Sequence, residues 1–316
     1  MLKLICSHGD DDLARVFVVE LADGSRVECV ESVQPPIPRD QKWVLIVSTL
    51  KGCPVGCAMC DAGQDYRGKL SCEEILAQVD LLIRRRYPSG RISIPKLKVQ
   101  LARMGEPALN DAVLDALEAM PARFDAPGLL PSLSTVAPAG RESFFERLLD
   151  IKNRLYGEGH FQMQFSVHST DETARRKMVP IRTWSLAQMA AYGERFYKKG
   201  DRKVTLNFAL AEGLPADPNA LVTTFDPLTF AIKLTPINPT RAANRSGLRG
   251  LVAPEDPDAC RLIAQRFEAK GYDTIVSIGE LEENRIGSNC GMYVSQGLYR
   301  DEATACSSAG EHAAIA

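Results

Sequence analysis

Strand-length apolar runs alternate with helix-length amphipathic runs through most of this 316-residue chain. That order predicts an α/β fold, a partial (β/α)6 TIM-like barrel with a small N-terminal β extension. Two further observations point the same way. Strand–helix pairs number about six, fewer than the eight that close a full barrel. The chemically unusual residues gather where strands are expected to end, at 53–60, 105–107, 134–135, 166–168 and 238. In β/α barrels the strand exits are where chemistry is done.

The elements follow in chain order. Residues 1–40 read as the β extension: Val16 to Leu21 as a strand, Ala22-Asp23-Gly24-Ser25 as a turn, and Arg26 to Val30 as the return. Asp-Gly between apolar runs is a hairpin signal, because glycine supplies the positive φ of a tight turn. A connector with Pro35, Pro36 and Pro38 leads to the barrel, expected over 41–300. Val44 to Val47 is its first strand. Ser71 and Glu74 form a capping box, and Ile75, Val79 and Leu82 follow at helical spacing. Leu97 to Leu101, Leu133 to Val136, Phe161 to Val167, Val204 to Leu210, Phe230 to Leu234 and Tyr272 to Ile278 read as strands. Helices are expected from Asp111 to Met120, Glu142 to Ile151, Ser185 to Lys199 with a stop at Gly200, and Asp256 to Lys270. The Ala- and Ser-rich tail, 301–316, has no periodic apolar face and is expected to be disordered.

Composition excludes some functions. No apolar run is long enough to span a bilayer, and Met1 to Cys6 turns polar too soon for a signal peptide. The nine cysteines are an odd number and suggest no disulfide framework. A reducing cytoplasm is therefore the expected location. Lys and Arg total 38 against 40 Asp and Glu, a net charge of −2. That balance argues against gripping nucleic acid through the whole surface, since phosphate binding is won by cations. The basic groups Arg84-Arg85-Arg86, Arg175-Arg176-Lys177 and Lys198-Lys199 are expected on solvated helix faces.

The most specific signal is Cys53, Cys57 and Cys60 in Lys51-Gly52-Cys53-Pro54-Val55-Gly56-Cys57-Ala58-Met59-Cys60-Asp61, directly after the first barrel strand. The spacing C-x3-C-x2-C puts three thiolates on one tight loop. They can hold three irons of a [4Fe–4S] cluster, whereas a closed electron-transfer cluster takes four cysteines. The iron left open can bind and activate a small molecule, as the open place of a catalytic zinc site does. A zinc knuckle completed by His or a distant Cys is the competing reading, and unliganded core cysteines a third. Zinc modules usually show paired C-x2-C units; this loop has one, and His8, His160, His168 and His312 do not fall at zinc-ligand spacing.

The loop resembles the signature of the radical S-adenosylmethionine (SAM) superfamily. A narrower resemblance covers almost the whole chain, to the RlmN/Cfr-like family of ribosomal-RNA adenine methyltransferases. It is carried by Asp23-Gly24 with Val27-Glu28, Met104-Gly105-Glu106-Pro107 with Asn110, and Ser134-Thr135-Val136. Ser166-Val167-His168 with Met178-Val179-Pro180-Ile181, Pro236-Ile237-Asn238-Pro239 and Asn289-Cys290-Gly291 complete the ordered set. The resemblance implies a radical SAM-type barrel, a [4Fe–4S] cluster on Cys53, Cys57 and Cys60, and SAM chelated to the open iron. It implies SAM contacts from Gly105, Glu106, Ser134, Ser166, His168 and Asn238. It also implies that Cys290 is methylated by one SAM, loses a hydrogen from that methyl to the 5′-deoxyadenosyl radical of a second, and delivers the carbon to adenine. An acid at Glu28, with Glu31 as a competing alignment, would assist proton removal. The implied substrate is an adenine-like ring, in RNA or a nucleotide-type small molecule. The implied reductant is an electron donor such as flavodoxin or ferredoxin.

Several positions depart from the family pattern. The cysteine that resolves the adduct is expected seven residues before Cys53, where this chain has Ile46; Cys6, Cys29, Cys72, Cys260 and Cys306 are the other thiols. The family's N-terminal RNA-binding accessory domain is not expected, given the few residues before Val16. Met59 stands for an aromatic residue, Arg103 for a glycine and Met292 for a glutamine. These departures leave a second reading open, a radical SAM enzyme acting directly on a small molecule or peptide without a methyl-cysteine.

Overall fold

Period-2 alternation sorts the barrel strands into two faces, and that sorting explains the architecture. In the computed structural model, residues 2–63, 65–252 and 256–277 are described, together with 286, 288, 293, 294 and 297. Lys3–Gly9 (β1), Ala14–Glu20 (β2) and Arg26–Ser32 (β3) form an antiparallel meander. β3 then pairs antiparallel with Trp43–Val47 (β4), Val30 opposite Ile46. The extension therefore continues the main sheet. Leu50–Lys51 (β5) and Gly68–Lys69 (β6) pair as a short ribbon at the two ends of the cysteine loop.

The helical layer follows: Cys72–Arg86 (α1), Leu97–Leu101 (β7), Ala112–Arg123 (α2), Leu129–Thr135 (β8), Glu142–Leu155 (α3) and Gln162–Ser166 (β9). Then come Glu172–Met178 (α4), Leu186–Phe196 (α5), Val204–Leu210 (β10), Pro218–Val222 (α6) and Phe230–Pro236 (β11). Arg241–Arg245 (α7), Pro257–Glu268 (α8) and Asp273–Val276 (β12) end the series. The sheet order is β1-β2-β3-β4-β7-β8-β9-β10-β11-β12, parallel from β4 onward. Six strand–helix units plus β12 give the partial barrel.

One face of these strands is apolar: Leu45, Val99, Phe165, Phe208 and Ile232 are fully buried against the helices. Burying such a side chain contributes about 1.5–3 kcal/mol. The opposite face lines the lumen and is polar and half-exposed at Lys98, Gln100, Gln164, Ser166, Asn207 and Lys233. A packed barrel fills this face with Val, Ile and Leu; here polar, half-exposed side chains line an open lumen.

Some boundaries differ from expectation. β1 was not expected, because Cys6-Ser7-His8 hides an edge strand among polar residues. β8 starts earlier, at Leu129; Pro131, which has no N–H for the ladder, disguised its first half. α5 ends at Phe196, with Tyr197 extended at its C-cap. Ile278, expected to end β12, and the tail after 300 lie outside the described residues. Among the three basic groups, Arg175 is corrected: it is buried, and its guanidinium donates to the carbonyls of Trp184 at 2.7 Å and Val136 at 3.3 Å. It ties α4 to the β8 exit. Arg85 and Arg86 reach Glu31 and Asp11. No helix among the described residues is long and apolar enough to cross a membrane.

Candidate active site at the upper mouth of the barrel

The cysteine loop is held by its surroundings. Two glycines let it fold tightly: Gly56 has φ +68, and a Cβ on Gly63 would come within 2.9 Å of the Gly56 Cα. Val55 is buried with Val136, Met178 and Ile237 in an apolar cluster at the strand exits. The Ala58 N–H donates to the Met178 carbonyl at 2.9 Å, and the Thr240 hydroxyl to the Met59 carbonyl at 2.7 Å. Asp61, buried directly after the third cysteine, accepts from the Ala242 N–H at 2.8 Å and the Arg241 N–H at 3.3 Å. These anchors come from α4 and from the segment after β11. The run 178–181 therefore has a physical job beneath the loop.

Cys53, Cys57 and Cys60 are half-buried, and a cavity of about 210 Å³ lies beside Cys57 and Cys60, bordered by Gly56, Ala242, Arg245 and Ser246. Among the described residues no three His, Cys, Asp or Glu side chains form the ligand set of one metal ion. A cubane asks for something else, one thiolate at each of three irons. Three half-exposed thiols on an externally pinned loop, next to open space, fit that demand.

Glu106 stands next to this loop. Gly105 precedes it at φ +104, and a Cβ there would lie 2.5 Å from the Leu50 Cβ. Only glycine lets the chain pass so close to the start of the cysteine loop. The buried Glu106 carboxylate accepts from the Ala108 N–H at 3.0 Å and the Thr135 hydroxyl on one oxygen, and from the Val136 N–H at 2.9 Å on the other. A carboxylate has about four acceptor positions, so the second oxygen keeps one for a cation. Burial pushes its pKa from 4.5 up to about 7, only partly offset by these hydrogen bonds. Thr135 is therefore a site residue that the sequence reading passed over as part of a run, and Asp61 is another. Their signal was adjacency to Ser134 and Cys60.

The strand exits supply further polar groups. Ser134 and Ser166 end β8 and β9 half-exposed on the lumen face. His168 follows β9 at φ +63, a left-handed conformation rare outside glycine, and is buried. Its Nδ1 accepts from the Ala209 N–H at 3.3 Å, so the proton sits on Nε2. Burial, then Arg175, lowers its pKa from 6.5 to about 4, which keeps the ring neutral. Asn238 follows β11, half-buried beside Thr240.

Glu28 is fully buried on β3. One oxygen accepts from the Arg103 guanidinium, at 3.1 Å from Nε and closer from Nη2; the other accepts from the Tyr293 N–H at 3.0 Å and the Val294 N–H at 2.7 Å. Arg103 also donates to the Ser288 carbonyl. Together the pair grips 288 and 293–294, on either side of position 290. Cys290 itself lies outside the described residues. Glu31, the competing acid, is turned to Arg85 and Arg86 on α1.

Ile46 lies on the lumen face of β4. Cys29 and Cys260 are deeply buried, and burial raises both thiol pKa values, as it does for Cys72. Cys6 is different. Its Sγ is 3.4 Å from Nε2 of His8, whose ring stacks on Tyr293 with centroids 4.1 Å apart. Of the described candidates it is the thiol linked to the 286–294 segment. Cys306 lies outside the described residues.

No protein-family model matches the chain. A protein of Frankia alni (strain DSM 45986 / CECT 9034 / ACN14a) named "Probable dual-specificity RNA methyltransferase RlmN" is 29% identical, covering 91% of this chain and 66% of that protein. The "Dual-specificity RNA methyltransferase RlmN" of Marinobacter nauticus (strain ATCC 700491 / DSM 11845 / VT8) is 27% identical over 75% of this chain and 63% of its own. The chain is similar in sequence to these proteins named RlmN. It spans about two thirds of the length of these relatives. A radical SAM methyltransferase from Sphaerobacter thermophilus superposes with a TM-score of 0.70 at 22% identity, over 92% of this chain and 80% of its own. That likeness shows the fold. The cofactors of the RlmN/Cfr-like radical SAM family are a [4Fe–4S] cluster and SAM.

Proposed function

We propose that this chain is a radical SAM methyltransferase that alkylates an sp2 carbon of an adenine-like ring through Cys290. One observation carries the reading: the three-thiol loop and a buried carboxylate with an acceptor position to spare meet at one barrel mouth. Cys53, Cys57 and Cys60 would hold the cluster, which, when bound, supplies the electron that cleaves SAM. Glu106 would accept the SAM ammonium. Ser134, Ser166, the neutral His168 and Asn238 would hold its polar edges, and the tightly packed strand exits would limit access of water.

Glu28 in this reading is a positioning residue. Four donors already occupy its oxygens, leaving it suited to fixing the segment around Cys290 and poorly placed to take a substrate proton. The relatives are named as RNA methyltransferases, which supports adenine in RNA; an adenine nucleotide is the other form of the same ring. A flavodoxin- or ferredoxin-like donor would supply the electron in a reducing cytoplasm.

The test is peptide mass spectrometry across Cys290 on protein produced with its cluster and SAM. A methyl group on Cys290 is expected. An unmodified Cys290 in protein that cleaves SAM would sink the methyl-carrier reading and move the enzyme to direct hydrogen abstraction from a small molecule or peptide.

A further inference from the structure

The lower mouth of the barrel holds a second cavity, of about 600 Å³. Lys98 enters it from β7 and Lys233 from β11; Lys42, Lys96 and Arg202 stand at the starts of β4, β7 and β10. Asp273 is the acid among its lining residues, and it already pairs with Lys203 at 2.7 Å. Lys42 donates to Gln34, and Arg202 to the Gly159 carbonyl at 2.8 Å. Among the described residues, Lys96, Lys98 and Lys233 have no acid partner. The charges acting on Lys98 are cations, first Lys233, then Lys42, Lys96 and Arg202.

Folding does not need these cations. Lys98 and Lys233 are lumen positions of strands whose neighbours are Leu, Val and Ile. An aliphatic residue there would avoid both desolvation and mutual repulsion. Burial and like charge hold the Lys98 amine down at about 7, instead of 10.5, and lower Lys42 to about 8. Cations kept together against such a penalty are explained by a ligand that supplies the missing negative charge.

We propose that this lower cavity binds the phosphoryl groups of a nucleotide-sized ligand, with Lys98 and Lys233 as its central contacts. Lysine is a compact point charge suited to phosphate, with no need of the two-pronged geometry arginine gives carboxylates. A diphosphate concentrates several charges in one compact group, which the gathered cations match better than a single carboxylate does. The volume falls within the roughly 300–1,000 Å³ of small-ligand sites. Folded RNA is recognised through phosphate contacts spread over an extended surface, whereas these cations are gathered in one cavity at the barrel mouth. Between the two mouths, Gln100, Gln164 and Asn207 continue the polar lumen. A nucleotide could thus rest its phosphates below and present its base to the upper site. The orientation of the base rests on the proposed function; the phosphate site does not.

The experiment is calorimetric titration of the purified 316-residue chain with pyrophosphate, ADP, adenosine and a short adenine-containing oligoribonucleotide. In parallel, Lys98 is acylated near pH 7.5 and read by peptide mass spectrometry. Expected results are binding of pyrophosphate and ADP, at least tenfold weaker binding of adenosine, and ADP protection of Lys98 from acylation. The Lys98→Gln/Lys233→Gln variant should lose ADP affinity at least tenfold. Should it fail to fold, protection of Lys98 in the unaltered chain decides alone. No binding of pyrophosphate or ADP, binding without protection of Lys98, or a preference for the oligonucleotide over ADP overturns the proposal. None of these measurements needs cluster or SAM, so an unmodified Cys290 and an anion-free lower cavity are separate outcomes.

Discussion

The two mouths of this barrel treat buried charge in opposite ways. At the upper mouth Glu106 is held by three donors and keeps one acceptor position for a ligand, while Glu28 is held by Arg103 and two backbone N–H groups, so each carboxylate is oriented by donors of the protein. At the lower mouth Lys98 faces Lys233, Lys42 and Lys96. Donors of the protein fix where a carboxylate points, whereas cations that face one another await a ligand that supplies the missing charge. The difference separates the part of the lumen built for positioning from the part built for capture.

The largest effect should come from the upper mouth. Cys57→Ala is expected to abolish iron retention and SAM cleavage, measured as iron content and 5′-deoxyadenosine release, with the circular dichroism spectrum unchanged. Because Ala58, Met59 and Asp61 pin the loop by their own hydrogen bonds, the fold does not depend on the thiols. Collapse of the fold would mean that the cysteines act as structural ligands, as in the zinc reading.

Arg103→Met should come next. It leaves Glu28 buried and unpaired, which costs about 3–5 kcal/mol, seen as a lower urea midpoint. Arg103→Met with Glu28→Gln should recover much of that stability. Recovery of stability without recovery of Cys290 methylation would identify the ion pair as the clamp on the 288–294 segment. Equal recovery of both would leave it a packing element.

These residues also show how far the sequence carries. The barrel was legible because apolar runs alternate with amphipathic ones, and the cysteine loop because its spacing is specific. Arg103 could be seen only as a departure: nothing local says that residues 75 positions apart, Glu28 and Arg103, will pair. The partner arises from sheet order, which places β3 beside β4 and β4 beside β7. Lys98 and Lys233 were hidden for the same reason, as single lysines in different strands that only barrel curvature gathers. Arg175 was misread because a charged triplet on a helix usually faces water, whereas here one member turns inward to orphan carbonyls.

Glu106 gives a smaller, pH-dependent effect. With its folded pKa near 7 and a reference value of 4.5, the folded protein keeps a proton that the unfolded chain has lost between those values. The stability linked to this group is full below pH 4.5 and is lost as pH rises through about 7, a change of roughly 3 kcal/mol. The ammonium of SAM prefers the ionised form, so SAM affinity should rise over the same window. Glu106→Gln should flatten both profiles, as followed by denaturant titration and SAM binding from pH 5 to 8. Profiles that keep their slope in the variant would place the titration elsewhere.

Lys98 should move stability the other way, and less. Its pKa is lowered from 10.5 to about 7, so below pH 7 the folded state carries the full penalty of a crowded cation. Between pH 7 and 10.5 the folded chain sheds the proton that the unfolded chain keeps, and stability rises with pH. The lumen is partly open to water, which leaves on the order of 1–2 kcal/mol of the penalty. Lys98→Met should therefore stabilise the ligand-free protein by about that much at pH 7. Taken with Glu106, this predicts a ligand-free protein whose contributions from these two groups are least favourable near neutrality, where protein stability is more often greatest. Each deficit is one that a bound ligand repairs, SAM above and a phosphate below. A thermal-melt series from pH 5 to 10 should show the dip, and ADP should fill it in the unaltered chain but not in Lys98→Met. If ADP stabilises both proteins equally, the lower cavity is not where it binds, and the contrast between the two mouths loses its functional meaning.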